Sequence, residues 1–383
     1  MRGCVARYSS RSLANEAHLA ANVEAIVDAF GFCAAHGAMI ARLAPDGPAL
    51  RAVLCGAGEG IVTLLRRHGL AYEDRLLGML FVAHDACPAC RYESRSVATP
   101  LADHAARLRA CPDGDLRHAL CMPHFLALLG ESGLGDLASW IAAQRATLDT
   151  IGPLLDAGPD GERGAARMLV GTPQTAHLLM PAEESSTRGQ WHCSVCLAVR
   201  RALHHWLEAA REGARVGIAT WSVLPSCPQH IWMCRLSGDA RLSSLATRHG
   251  LEAAADTLGR AAAFIEREEH RLERESRSVW FRRKSPVYHL ALRRRAARAL
   301  PSCVTCEYVA VARDRAISEA IERLAGEHGG GVPTLCLKHF AQARIITPAG
   351  PQRERLTAVL FERLQAIGEN GTPAALRLLA GHA

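Results

Sequence analysis

The apolar residues of this chain recur at intervals of three and four, as on one face of a helix. One such segment runs from Ser12 to Phe30, and Gly31 follows it as an expected C-terminal stop. Two further segments of the same kind cover residues 134–151 and 240–275. No segment shows a sustained two-residue alternation, which is the pattern of a half-buried strand. The pattern therefore predicts an all-α fold.

Glycine and proline predict where these helices end. Gly152-Pro153 should stop or kink the helix over 134–151, and Gly158-Pro159-Asp160-Gly161 predicts a turn. Three further helices are expected to begin at cysteine-containing pairs. They should run from about residue 87 to 110, from 193 to 211, and onward from 303.

Pairs of cysteine and histidine recur along the chain at near-constant spacing. A C-x-x-C pair is followed, after 29 or 30 intervening residues, by a C-x-x-H pair, and this unit recurs after 106 and then 110 residues. Three thiolates and one imidazole are a ligand set that zinc takes in structural sites. The spacing therefore predicts three Cys3His sites and three zinc ions. Their ligands are Cys87, Cys90, Cys121, His124, Cys193, Cys196, Cys227, His230, Cys303, Cys306, Cys336 and His339.

An incomplete copy of the same unit precedes these three. Cys33 and His36 form a C-x-x-H pair, Cys4 lies 29 positions before Cys33, and Met1 stands where the first cysteine would be. The chain is thus predicted to be four tandem helical repeats, each pinned by a Cys3His site that is degenerate in the first. The predicted bounds are 1–80, 81–186, 187–299 and 300–383.

The spacing leaves two ways to pair the ligands. Each C-x-x-C could share an ion with the C-x-x-H that follows it, across 30, 30 and 29 residues, or with the one that precedes it, across 50, 68 and 72. The near-constant forward spacing favours pairing within a repeat. That choice also leaves no unpaired C-x-x-H at the C-terminal end.

Two motif blocks resemble a bacterial family of domains of unknown function. They are Cys87-Pro88-Ala89-Cys90 and Gly31-Phe32-Cys33-Ala34-Ala35-His36, which look like that family's C-P-x-C and G-F-C-x-x-H elements. The resemblance covers the motif blocks of all four repeats. It departs at Met1, and at Ser194-Val195 and Val304-Thr305, where the proline is missing. It implies a helical, metal-binding domain and brings no established activity.

Composition and charge narrow the function classes only slightly. The net charge of +7 is modest for 383 residues and does not by itself indicate a nucleic-acid-binding protein. A basic stretch without acidic residues could nevertheless bind an anionic partner such as nucleic acid, or simply form a solvated helix face, which is the interpretation we favour. Its residues are Arg282, Arg283, Lys284, Arg293, Arg294, Arg295 and Arg298.

Cysteine usage points to a reducing compartment, which we expect to be the cytoplasm. Most of the 14 cysteines stand in ligand-type pairs, the first 20 residues lack the apolar core of a signal peptide, and no run of 18 uncharged apolar residues indicates a membrane span. Several residues outside the pairs are interpreted as packing residues. They are Cys55, Cys111, Cys234, Trp191, Trp206, Trp221 and Trp232, together with His192, His204 and His205 as ordinary histidines.

Three kinds of function fit these patterns. The favoured one is a non-enzymatic scaffold that binds a macromolecule, in the first instance a protein. A second is a metal- or redox-responsive protein. A third is a zinc enzyme at Cys4, Cys33 and His36, where three ligands would leave an open position, although a decayed terminal repeat is the favoured explanation there. An iron–sulfur cluster fits less well, because such clusters are held mainly by cysteine alone.

Overall fold

The computed structural model describes the C-terminal half of the chain most fully. The described residues are 24, 26, 32, 36, 48–63, 66, 101–103, 106, 120–128, 137–170, 193–217, 224–274, 303–325, 334–368, 375 and 378–379. They contain helices and short connections and no strand. The all-α prediction is therefore confirmed for this part of the chain.

Nine helices have bounds within the described part, and a further helical segment covers residues 48–63. The nine are α1 (Met122–Leu128), α2 (Leu137–Leu155), α3 (Pro159–Val170), α4 (Ser194–Val216), α5 (Pro228–Leu236), α6 (Ala240–Arg274), α7 (Val304–Ala325), α8 (Leu337–Ile346) and α9 (Pro351–Gln365). A short 3-10 helix, Ala366–Gly368, follows α9. None of the helices in these ranges combines the length and apolarity needed to cross a bilayer.

The chain divides into two compact units, each built from separate segments. The first unit comprises Met1–Arg2, Ala98–Met180 and His205–Glu307, and the second comprises Gly3–Val97, Pro181–His204 and Tyr308–Ala383. The boundaries at 204/205 and 307/308 fall inside α4 and α7. The four predicted repeats, whose bounds are contiguous, remain a prediction.

The first unit is organised around the long helix α6, against which α2, α3 and α5 pack. The approach is close at Gly250 of α6, where a Cβ atom would lie 2.5 Å from Ile231 Cδ1 and 3.0 Å from Leu169 Cδ2. A larger residue there would force neighbouring side chains to shift. A separate apolar cluster joins α4, α5 and the start of α6 through Trp206, Leu207, Ala210, Ala214, Leu224, Cys234, Leu242 and Ala246.

The second unit has one apolar core. It draws on the helix over 48–63, the start of α4, and helices α7, α8 and α9. Leu50, Leu337 and Phe340 are each at most 3% exposed. Cys193, Cys196 and Cys336 belong to the same core, so the predicted ligands are part of its packing.

Two predicted helix ends differ from the observed ones. Helix α2 continues through Gly152 and Pro153 and ends at Leu155, two residues after the proline. The predicted turn at 158–161 lies earlier, with Gly158 at φ +86° and Pro159 already the first residue of α3. Proline suits that position because its missing N–H would have no partner in a first turn.

Candidate metal centres

Every described cysteine pair lies at the beginning of a helix. The carbonyl oxygen of the first cysteine accepts the first backbone hydrogen bond of its helix, from the residue four positions later, in all five cases. These bonds are Phe125 N to Cys121 O, Leu197 N to Cys193 O, Ile231 N to Cys227 O, Glu307 N to Cys303 O and Phe340 N to Cys336 O. The first cysteine is thus at the N-cap and the second ligand in the first turn. Neither Cys227 nor Cys336 uses its side chain to cap its helix.

Four predicted ligands meet in the second unit. Cys193 and Cys196 come from the start of α4, and Cys336 and His339 from the start of α8. His339 Nδ1 lies 3.4 Å from Cys193 Sγ, 3.4 Å from Cys196 Sγ and 3.3 Å from Cys336 Sγ. Cys196 Sγ lies 3.8 Å from Cys336 Sγ. All four residues are buried, and we call this set the buried cluster.

A second set of four meets in the first unit. Cys227 and His230 come from the start of α5, and Cys303 and Cys306 from the start of α7. His230 Nδ1 lies 3.1 Å from Cys227 Sγ, 3.6 Å from Cys303 Sγ and 3.4 Å from Cys306 Sγ. Cys227 Sγ lies 3.7 Å from Cys306 Sγ. Cys227 is half-buried and Cys306 exposed, so we call this set the partly exposed cluster.

The distances in both clusters match the edges of a tetrahedron around one zinc ion. Zinc–sulfur bonds of about 2.3 Å and zinc–nitrogen bonds of about 2.0 Å at tetrahedral angles place two sulfurs about 3.8 Å apart and a sulfur and a nitrogen about 3.5 Å apart. The observed S···S separations are 3.8 and 3.7 Å. A disulfide requires about 2.05 Å. The residues therefore fit a tetrahedral ion and are not arranged as disulfides.

Hydrogen bonding within the buried cluster separates the acidities of its thiols. The pKa of Cys193 is lowered, chiefly by a hydrogen bond from Cys196 and then by one from Cys336. The pKa of Cys336 is raised, chiefly because its thiol hydrogen bonds to Cys193. One thiolate is stabilised by its neighbours, and a second negative charge beside it is disfavoured.

Hydrogen bonding also shifts the pKa values of the thiols in the partly exposed cluster in opposite directions. A hydrogen bond from Cys227 is the main cause that lowers the pKa of Cys303, and the same bond raises the pKa of Cys227. For Cys306, a hydrogen bond with Cys227 lowers the pKa, whereas a hydrogen bond with Cys303 and burial raise it. The net result is a pKa raised to about 11. A divalent cation would offset the repulsion between neighbouring thiolates, because it would take the place of the protons that the thiols share. Metal binding at either cluster would therefore release protons, and the affinity for metal would fall as pH falls.

The predicted pairing within a repeat is wrong for these eight residues. The C-x-x-C pair at Cys193 joins the C-x-x-H pair at Cys336, and the C-x-x-C pair at Cys303 joins the C-x-x-H pair at Cys227. The alternative pairing, in which a C-x-x-C pair joins the C-x-x-H pair that precedes it, is correct for the set of Cys227 and Cys303. It fails for the set of Cys193 and Cys336. We call this arrangement ligand exchange, since each cluster takes one pair from the third predicted repeat and one pair from the fourth.

The length of α4 explains why the forward pairing fails. Its 23 residues make a helix about 35 Å long, with Cys193 at one end. Only the ten residues 217–226 then separate the helix from Cys227, and about 35 Å is their full extended reach. Closing a site within the repeat would require a straight, fully extended return. In the two copies that the structure describes, the similar spacing reflects helices of similar length, 23 residues in α4 and 22 in α7.

Two contacts near the clusters could not be predicted from the spacing of the cysteine and histidine pairs. In the second unit, Ser194 N and Oγ both donate to the carbonyl oxygen of Thr334, at 2.8 and 3.3 Å, which ties the two ligand-bearing segments together. In the first unit the Trp206 ring meets the His230 ring edge to face, with centroids 5.7 Å apart. Trp206 lies 13 positions after Cys193 on α4, so its approach to His230 depends on tertiary packing.

The remaining predicted ligands are only partly described. Cys121 and His124 begin α1 with Sγ and Nδ1 3.1 Å apart, and burial lowers the pKa of His124, which favours the neutral imidazole that binds metals. His36 is helical and 3% exposed. The other four, Cys4, Cys33, Cys87 and Cys90, lie outside the described residues.

Several packing predictions can be compared with the structure. Cys234, Trp206 and Trp232 are buried as expected, and Cys55 is half-buried against the core of the second unit. His204 and His205 are exposed on α4 and belong to neither cluster. The other residues of this kind, Cys111, Trp191, Trp221 and His192, lie outside the described residues, as does the basic stretch 282–298.

The chain was compared with protein-family models, with curated proteins and with solved structures, and none of them matches it. The conclusions about its function therefore rest on the two Cys3His clusters.

Proposed function

We propose that this protein is a zinc-stabilised helical repeat protein that acts as a non-enzymatic binding or scaffold module. The observation that carries the proposal is the composition of the two clusters, each of which offers four protein ligands within 4.8 Å of one another. A catalytic zinc site normally keeps one position open for water or substrate. Four protein ligands fill a tetrahedron, which supports a structural role for the ion.

Zinc suits these clusters better than hard cations such as calcium and magnesium do. Three soft thiolates and one imidazole select zinc over the hard cations, which prefer oxygen ligands. Each thiol also lies at a helix N-terminus, where the helix dipole favours negative charge. Each ion would hold together the starts of two helices that are far apart in the sequence, such as α4 and α8. A chain with only 5% aromatic residues would gain long-range order in this way.

Replacement of zinc by cobalt(II) tests the structural role. Cobalt bound by three thiolates and one imidazole is expected to give the visible spectrum of a four-coordinate tetrahedral ion, unchanged when small anions such as azide are added. A five- or six-coordinate spectrum, or one that shifts with azide, would show an open position and contradict the proposal. The double variant Cys193→Ala/Cys227→Ala, which removes one ligand from each cluster, is the control for cobalt bound elsewhere.

The partner of such a scaffold is proposed to be another macromolecule, in the first instance a protein. Nucleic acid, through the basic stretch 282–298, remains the alternative based on sequence. Affinity for nucleic acid that falls steeply with salt would support that alternative.

A redox-responsive role is the second candidate, and the partly exposed cluster favours it. Cys306 is exposed, and its sulfur lies 3.7 Å from that of Cys227. A peroxide could take two electrons from these two thiolates, forming a Cys227–Cys306 disulfide and two molecules of water after uptake of two protons, with release of the ion. The buried cluster has no exposed sulfur and should resist the same oxidant.

The rate of zinc release under peroxide measures the difference in sensitivity to oxidation between the two clusters. At low peroxide the wild-type chain is expected to release one of the ions of the two clusters several-fold faster than the other, together with loss of two thiols. Cys306→Ala should abolish the fast phase, and the matched change Cys196→Ala in the buried cluster should preserve it. Release at equal rates from both clusters would argue against the redox role.

A further inference from the structure

The partly exposed cluster can be reached from solvent at one of its four ligands. Cys306 is exposed, and its sulfur lies 3.7 Å from Cys227 Sγ and 3.4 Å from His230 Nδ1. Residues next to the ligands on both helices are exposed as well, Gln229 on α5 and Glu307 on α7. An ion held by this cluster would therefore be approached from solvent past the sulfur of Cys306.

The buried cluster is closed at the corresponding positions. Cys196, which takes the place of Cys306 in its C-x-x-C pair, is 5% exposed. Lys338, which takes the place of Gln229 in its C-x-x-H pair, is half-buried, and all four ligands are buried. The two clusters thus have the same ligand set and differ in how far solvent reaches it.

We propose that the coordination position of Cys306 is replaceable, so that a thiolate from another molecule can bind the ion of this cluster in place of Cys306. Zinc permits such a step, because its filled d shell imposes no geometry and it takes a fifth ligand in some transition states. The bond between the ion and the incoming sulfur forms, the bond to Cys306 breaks, and the proton of the incoming thiol passes to the Cys306 sulfur. No oxidant is needed, so the step is separate from the redox role. The inference rests on the proposed function, since it requires a zinc ion in the cluster.

The step is compatible with the structural role of the ion. Cys303 remains bound when Cys306 leaves, so α7 stays attached to the ion, and Cys227 and His230 keep α5 attached. Three protein ligands and one external thiolate again complete a tetrahedron. The cluster would gain a contact with the molecule that carries the thiol and keep the link between its two helix starts.

The charge around the cluster favours particular thiols. Three thiolates outweigh the charge of a divalent ion, which leaves the centre negative. The exposed carboxylate of Glu307 follows Cys306 directly in the sequence and adds to this charge. A cationic or neutral thiol should therefore bind better than an anionic one. Azide is a harder ligand than a thiolate and is not expected to displace one.

Rescue of a ligand variant by an external thiol tests the proposal. The full-length chain with Cys306→Ala is reduced with a phosphine, so that no other thiol is present, and loaded with cobalt(II). It should lack the thiolate-to-cobalt absorption of one tetrahedral ion relative to wild type, and cysteamine, a cationic thiol, should restore it. The matched variant Cys196→Ala in the buried cluster should lose the same absorption and not regain it.

Isotope exchange in the wild-type chain tests the same step without a ligand variant. Bound zinc is replaced by isotopically enriched zinc, and mass spectrometry of the intact protein follows the replacement. Cysteamine should accelerate the replacement of one ion several-fold and leave another ion unaffected. The advantage of cysteamine over anionic mercaptoacetate should shrink in Glu307→Gln, which removes one negative charge.

A peptide with one cysteine between two lysines distinguishes the two sources of a thiolate. Acceleration by this peptide as well as by cysteamine assigns the position to cysteines of other proteins, and acceleration by cysteamine alone assigns it to small thiols. The inference is overturned if thiol does not change the zinc replacement in wild type, or if folded Cys306→Ala is not rescued. It is also overturned if Cys196→Ala recovers to the same extent, because access would then not distinguish the clusters. These results leave both clusters as structural zinc sites, whereas a wild-type chain that binds no zinc contradicts the proposed function itself.

Discussion

Complete removal of zinc by a strong chelator is expected to unfold this protein. A structural zinc ion contributes on the order of 10 kcal/mol to folding, whereas a whole domain is stable by only about 5–15 kcal/mol. Three sulfurs of the buried cluster lie within the apolar core of the second unit. Without the ion, that core would contain closely spaced thiols that cannot all ionise, and the helix starts they hold would lose their link.

Far-UV circular dichroism and thermal unfolding measure this effect. The metal-free chain should lose most of its helical signal and its cooperative transition, and added zinc should restore both. The chelator presaturated with zinc is the control for direct effects on the protein. Metal-free protein that melts at an unchanged temperature would contradict a structural role for the ions.

Loss of one buried ligand should destabilise the protein far more than loss of an equally buried cysteine elsewhere. Cys336 and Cys234 are both 0% exposed, and each lies in an apolar core. Cys336→Ala removes a sulfur and also one of four ligands. We therefore expect the loss of one ion and a fall in the free energy of unfolding of about 3–5 kcal/mol or more. Cys234→Ala removes only packing and should cost about 1–2 kcal/mol with the zinc content unchanged.

Urea unfolding with parallel zinc analysis compares the two variants. Burial raises the pKa of Cys234, so its thiol stays protonated and its loss should not change the zinc content of the chain. Equal destabilisation of the two variants would mean that Cys336 acts as a packing residue rather than as a ligand.

The sequence predicted the described helices and the eight residues that meet in the two clusters, because both depend on local chemistry. A cysteine at an N-cap and a second ligand three residues later place two side chains on one side of a helix start, whatever that helix packs against. Cys193, Cys227, Cys303 and Cys336 all lie at such positions. The long helix α6, predicted over 240–275, is observed over Ala240–Arg274.

The pairing of the ligands could not be predicted from their spacing. Spacing along the chain limits which pairs can meet, but it does not determine which helix ends pack together. The length of α4 was the one signal available, since a helix of about 35 Å carries the chain away from Cys193 before Cys227 is reached. The Ser194–Thr334 hydrogen bonds and the Trp206–His230 contact depend on the same tertiary arrangement.

The zinc content of two double variants tests ligand exchange most directly. Cys193→Ala/Cys336→Ala removes two ligands of the buried cluster, whereas Cys193→Ala/Cys227→Ala removes one ligand from each cluster. We expect the first variant to lose one ion relative to wild type and the second to lose two. The reverse result, two ions lost from the first and one from the second, would show that the ions bind within single repeats and would contradict the exchanged arrangement.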